Sequence, residues 1–159
     1  MFNRRWMSWL AALFGALLLA TGSAWAEGKQ KVVYHINGDN PKQQAGALGN
    51  IQNHINAIGK DNLDLKVVLH GNGLSLLLDP TAMDEVKGFK QGNATETMTA
   101  RIDSLKGQGV QFQVCANTLK ARNVVPERHL HDVAAGDIVP SGVAQLAILQ
   151  GQGYAYIKP

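Results

Sequence analysis

Between Lys31 and Ile157 the chain alternates short β-rich runs with stretches whose apolar residues return every three or four positions. The first run is Lys31–Asn37, KVVYHIN. Asn40 then offers an N-cap and Pro41 a first helical residue, and Leu48, Ile51, Ile55 and Ile58 form one stripe that Gly59 closes. A second run, Leu63–His70, leads into Gly71-Asn72-Gly73. A helix with Met98, Ile102 and Leu105 inward precedes a third run, Val110–Cys115. From Leu74 to Asn93 the pattern fits either a strand extension or a helix, with a helical turn expected over Asp84–Phe89. The poorly periodic stretch Leu119–Ala135 is expected to hold a short helix. Asp137–Val139 reads as a short strand, Ser141–Gln150 as a helix with Val143, Leu146 and Ala147 inward, and Tyr154–Ile157 as a last strand.

Five strands separated by helical crossovers predict an α/β fold, a three-layer α/β/α sandwich on a mainly parallel sheet. Side chains alternate along a strand, so Tyr34, Ile36, Leu65, Val67, Leu69, Val110, Phe112 and Val114 share a hydrophobic face. The other face carries Val33, His35, Lys66, Val68, His70, Gln111, Gln113 and Cys115, a mixture that a core seldom takes. In open parallel sheets, ligand sites gather beyond the carboxyl ends of the strands. There the first three strands end alike: His35-Ile36-Asn37, His70-Gly71-Asn72 and Cys115-Ala116-Asn117. If the first strand lies between the second and third, as in the common doubly wound order, His35 approaches both His70 and Cys115.

Composition changes this picture at the N-terminus. Arg4 and Arg5 precede an apolar run, Trp9–Ala20, and small residues ending in Ala24-Trp25-Ala26. That is a secretory signal pattern, with cleavage expected after Ala26 and a periplasmic location if the source is Gram-negative. The twelve-residue run is short for a membrane anchor, and the rest of a twin-arginine signal is missing. Residues 27–159 then form a single domain. Without Arg4 and Arg5, 13 Lys and Arg face 12 Asp and Glu, a balance with no footprint for nucleic acid or an anionic membrane.

The candidate chemistry centres on Cys115, the sole cysteine. The thiolate is the reactive form, and a place just before a helix, with Asn117 or Thr118 as cap, favours it; a nearby imidazolium would add to this. Such a thiolate can attack sulfane sulfur and hold it as a persulfide. His35 and His70 are candidates for tuning its protonation, and the side chains of Asn37, Asn72 and Asn117 with the Gly71–Gly73 backbone for supplying donors. A lone strand-end cysteine is also often a small inert hydrophobe, and the asparagines ordinary turn formers. Two His and one Cys would suit Cu(I) or zinc, but they come from three separate elements, and no metal or cofactor is assigned. His129-Leu130-His131, beside Arg128 and Asp132, reads as a solvated polar surface. No Ser-His-Asp triad or phosphate-cradling loop is present, and Glu127 with Asp132 does not make a catalytic pair.

The stretches VVYHIN at 32–37, VVLHGNG at 67–73, VCANTL at 114–119 and IVPSGVAQLAILQGQGYAYIKP from Ile138 onward resemble the DsrE/DsrF-like family, and most closely its small, poorly characterised bacterial branch. The resemblance implies a five-stranded α/β/α domain assembled as a homo-oligomer or hetero-oligomer such as a trimer or hexamer. Better characterised relatives relay persulfide sulfur through a cysteine after the third strand, where Cys115 stands, and exchange it with donor or acceptor proteins. Those members are cytoplasmic, whereas this chain carries an export pattern, and Ala116, Asn117 and Thr118 follow the uncharacterised branch. Two functions therefore stand side by side. One is a periplasmic sulfur carrier acting through Cys115; the other is a non-catalytic oligomeric module that binds a small ligand or soft metal at the same edge.

Overall fold

The computed structural model describes residues 28–159. The expected signal segment, residues 1–26, lies outside them. Five parallel strands form one sheet: β1 (Gln30–Ile36), β2 (Leu63–Leu69), β3 (Gln111–Cys115), β4 (Ile138–Val139) and β5 (Ala155–Ile157). The helices are α1 (Pro41–Ile58), α2 (Glu96–Gly107), α3 (Ala116–Ala121), α4 (Pro126–His129) and α5 (Gly142–Gly151). Local signals set their ends. Asn40 Oδ1 accepts from the Gln43 N–H at 3.0 Å at the start of α1, and Gly59 closes it at φ +87°, where a side chain would be strained.

The strand order is β4-β3-β2-β1-β5, so β2, not β1, separates the other two site-bearing strands. This corrects the doubly wound order expected above. From β1 to β4 the chain steps one place at a time, and α1, α2 and the 116–130 segment all pack on one face of the sheet. β5 instead returns to the far side of β1. Right-handed crossovers run in opposite directions therefore put α5 on the opposite face, where it lies across β1, β2, β3 and β5.

The main core is the predicted hydrophobic face, joined by Val32: Tyr34, Ile36, Leu65, Val67, Leu69, Val110, Phe112 and Val114 pack with Leu48, Ile51, Ile102 and Leu105. Burying side chains of this size stabilises by roughly 2 kcal/mol each. Ile58, predicted on the α1 stripe, is exposed at the helix end. The α5 layer is thinner, with Val33 and Val68 against Leu146, Leu149 and Tyr154. Around that small cluster, polar pairs cover the sheet: Lys66 Nζ donates to Gln111 Oε1 at 2.6 Å and Gln145 Nε2 to Gln113 Oε1 at 3.0 Å. Val143 and Ala147, predicted inward on α5, face outward; Gly142, Leu146 and Leu149 are the buried positions.

The ambiguous 74–93 stretch is neither strand nor α-helix. Gly71–Leu76 forms a 3-10 turn, a single antiparallel bridge joins Leu78 to Leu130, and Pro80–Ala82 makes another 3-10 turn. Asp84–Phe89 holds turns and bends rather than the expected helical turn. What anchors this irregular backbone is a closed polar cluster. Asn93 Nδ2 donates to Gln44 Oε1, the Asp39 carbonyl and Ser75 Oγ, while Gln44 Nε2 donates to Ser75 Oγ and the Gly38 carbonyl. Gln44, Ser75 and Asn93 are all buried, and their mutual bonds make that burial tolerable.

Candidate functional site

Register explains which strand-end residues meet. His35 is level with Val68 on β2, and Leu69 with Val114 on β3. His70 therefore lies beside Cys115, one pleat beyond His35 and diagonal to it. With β2 in the middle, His70 stands between the other two, and the expected direct approach of His35 to Cys115 does not occur.

Cys115 is a buried free thiol at the junction of β3 and α3. Burial acts most strongly on it and pushes its pKa up. Four donors outweigh that effect: the Gly142 N–H, the Thr118 hydroxyl, and the Thr118 and Asn117 N–H groups. The net result is a thiol held below its ordinary pKa. Thr118 Oγ1 itself accepts from the Gly71 N–H at 2.9 Å, which leaves the hydroxyl proton for the sulfur. Gly71 can serve here because it sits at φ +56°.

Gly142 shows how tightly the opposite wall is built. A Cβ at that position would lie 2.9 Å from His70 Cβ and 3.3 Å from Cys115 Cβ. Only a glycine lets the first turn of α5 bring its N–H onto the sulfur. Ser141 caps that helix, its hydroxyl accepting from the Ala144 N–H at 3.4 Å. In front of the thiol opens a cavity of about 340 Å³, lined by His70, Cys115, Thr118, Arg122, Ser141 and Val143 among others.

The two imidazoles form a separate unit. Their rings overlap with centroids 4.7 Å apart, and the Nε2 atoms meet at 2.7 Å, an approach that accommodates one shared proton at most. His35 Nδ1 bonds the Tyr156 hydroxyl at 2.6 Å. Burial first, then His70 and Lys158, lower the His35 pKa to about 4; burial and then Lys158 lower that of His70. Both rings are neutral near pH 7. The imidazolium expected to stabilise the thiolate is therefore not supplied, and hydrogen bonds take its place.

A family model for the DsrE/DsrF-like family matches residues 30–159. The chain belongs to the DsrE/DsrF-like family. Membership points to a role related to sulfur metabolism. No curated protein matches the chain.

Within this DsrE/DsrF-like domain the predicted site residues divide into three groups. Cys115, Asn117, Thr118, His70 and Gly71 gather round the cavity, although Asn117 acts through its backbone rather than its side chain. Asn72 and Gly73 support it indirectly. Asn72 Oδ1 accepts from Arg122 Nη2 at 2.5 Å, and a Cβ on Gly73 would strike the Ile36 carbonyl at 2.0 Å, so this glycine lets the β2 loop lie on the end of β1. Asn37 belongs elsewhere, to a neighbouring cavity of about 200 Å³ that it lines with His35 and Lys158. The asparagine side chains thus give no donor to the sulfur.

Sequence reasoning missed Gly142, Arg122 and Tyr156. Gly142 had a signal, a glycine directly after a Pro-Ser helix start, and Arg122 falls two helical turns beyond Cys115. His129-Leu130-His131 also departs from expectation. His129 is buried, with Nδ1 accepting from the Val125 N–H and Nε2 meeting Glu85, while His131 pairs with Asp103 at 2.6 Å. Both hold loops against helices, away from the thiol.

Proposed function

We propose that the protein is a periplasmic sulfur carrier in which Cys115 takes up sulfane sulfur as a persulfide and passes it on. The observation that carries this reading is the place of Cys115, at the junction of β3 and α3 in the wall of a cavity, with Thr118 beside it and the glycine-only start of α5 packed against it. Its lowered pKa accords with a reactive rather than an inert thiol. In the uptake step the Cys115 thiolate forms an S–S bond to the outer sulfur of a donor persulfide. The donor's S–S bond breaks, and its thiolate leaves with the electron pair and is then protonated. No net oxidation occurs. The same donors that hold the thiolate suit the terminal sulfur anion of the loaded form. His70, being neutral, is assigned to shaping the cavity wall, and the His35–His70 pair to sharing a proton rather than to supplying charge.

Export follows from the residue 1–26 pattern, and the oligomer, a trimer or hexamer, from family resemblance. α5 supports the oligomer by presenting Val143, in the cavity wall, and Ile148 to solvent. The alternative is a non-catalytic oligomeric module that binds a small ligand or soft metal at the same edge. Incubation of the native protein with a persulfide donor, followed by intact-mass and peptide mass spectrometry, tests the proposal. The expected result is an increment of one sulfur atom on Cys115, removed by reductant and lost in Cys115→Ser. A thiol that stays unmodified under conditions that load a reference sulfurtransferase argues against it.

A further inference from the structure

Arg122 stands in the wall of the Cys115 cavity, partly buried. Its guanidinium lies over the Phe89 ring, 4.3 Å from the centroid. Nη1 donates to the Gly88 carbonyl at 2.8 Å and Nη2 to Asn72 Oδ1 at 2.5 Å. Two of the five donors of a guanidinium are thereby used, and both acceptors are neutral. Asp39 is the carboxylate whose charge it feels, but no ion pair joins them among the described residues. No Asp or Glu lines the cavity. Lys158 adds positive potential on the far side of the histidine pair.

A long cationic side chain has thus been immobilised, at a cost in rotamer entropy, next to a cavity with no carboxylate in its lining. A merely structural arginine is usually matched by a carboxylate when it is fixed and half-buried. The planar fork of a guanidinium is suited to a carboxylate or other oxyanion.

We infer that the Cys115 cavity is built for an anionic reactant, whose negative end Arg122 holds while its reactive atom meets the sulfur. Joined to the sulfur-carrier reading, on which this second part rests, it narrows the donor to a small anion with sulfane sulfur next to its charge. Thiosulfate is the simplest chemical example. There the Cys115 thiolate bonds to the sulfane sulfur, the donor's S–S bond breaks, and sulfite departs with the electron pair. No outside oxidant or proton is needed.

Alkylation of the native protein by iodoacetate and by iodoacetamide tests the charge preference directly. The two reagents share a leaving group and differ in charge. The ratio of their rate constants, iodoacetate over iodoacetamide, is expected to fall about fivefold in Arg122→Met, the effect of one unit charge at close range in a partly wet site. It should be largely retained in Arg122→Lys and should decline with added salt in the unsubstituted protein. A ratio unchanged in folded Arg122→Met, or one indifferent to ionic strength, overturns the inference. Should Arg122→Met fail to fold, the salt series and Arg122→Lys decide. Alkylation moves no sulfur, so the two readings separate. A charge-dependent ratio without persulfide formation would support the anion site and remove the sulfur-carrier reading.

Discussion

Two buried polar clusters stand at the carboxyl end of this sheet, one on each face, and they are built on opposite principles. Gln44, Ser75 and Asn93 bond to one another and to the Gly38 and Asp39 carbonyls, so their polar groups are taken up by each other and by the backbone. The Cys115 cluster instead aims several donors at one nucleophilic atom, which faces an open cavity. Buried polarity therefore does not by itself mark a functional site. What distinguishes the second cluster is that its bonds favour one protonation state of a reactive group and leave space before it.

The comparison can be broken at either side. The largest stability loss is expected from Asn93→Ala, which leaves buried Gln44 Oε1 without its donor and removes the bond to the Asp39 carbonyl; about 3 kcal/mol should be lost in urea unfolding. Its folded fraction should keep the Cys115 alkylation rate of the unsubstituted protein, and a marked change in that rate would merge the two clusters into one. Next comes Gly142→Ala. The added methyl meets His70 and Cys115 at closer than ordinary contact, so about 2 kcal/mol of overpacking is expected together with a raised thiol pKa as the N–H is displaced. Thr118→Val should be the mildest, at about 1 kcal/mol, while slowing alkylation at neutral pH because the hydroxyl bond to sulfur is gone. Equal reactivity of Thr118→Val and the unsubstituted protein would remove Thr118 from the site.

The sheet faces were legible in the sequence because a period of two survives wherever a strand has one apolar side, as at Tyr34, Ile36, Val67, Leu69 and Phe112. Strand order was not legible. It depends on which way each crossover turns, and nothing in the alternation of His35 or His70 records that β2 lies between β1 and β3. The buried side of α5 was equally hidden. Val143, Ala144, Leu146, Ala147, Ile148 and Leu149 are apolar almost all round, so no polar stripe marks the outside. At the site, the sequence marked the nucleophile, Thr118 and Gly71, whereas the faint local signals of Gly142 and Arg122 gain meaning only when α5 crosses the sheet and the 88–89 loop folds over the end of α3. The closed Gln44–Ser75–Asn93 cluster was missed for a similar reason, since its members lie far apart along the chain and none sits in a motif.

The central claim is that hydrogen bonds, without help from a charged imidazole, hold the Cys115 thiol below its ordinary pKa. It is tested most directly by the rate of Cys115 alkylation with iodoacetamide as a function of pH in the native protein. The account predicts a titration midpoint clearly below about 8.5, the ordinary value for a free cysteine. A midpoint at or above that value would contradict it.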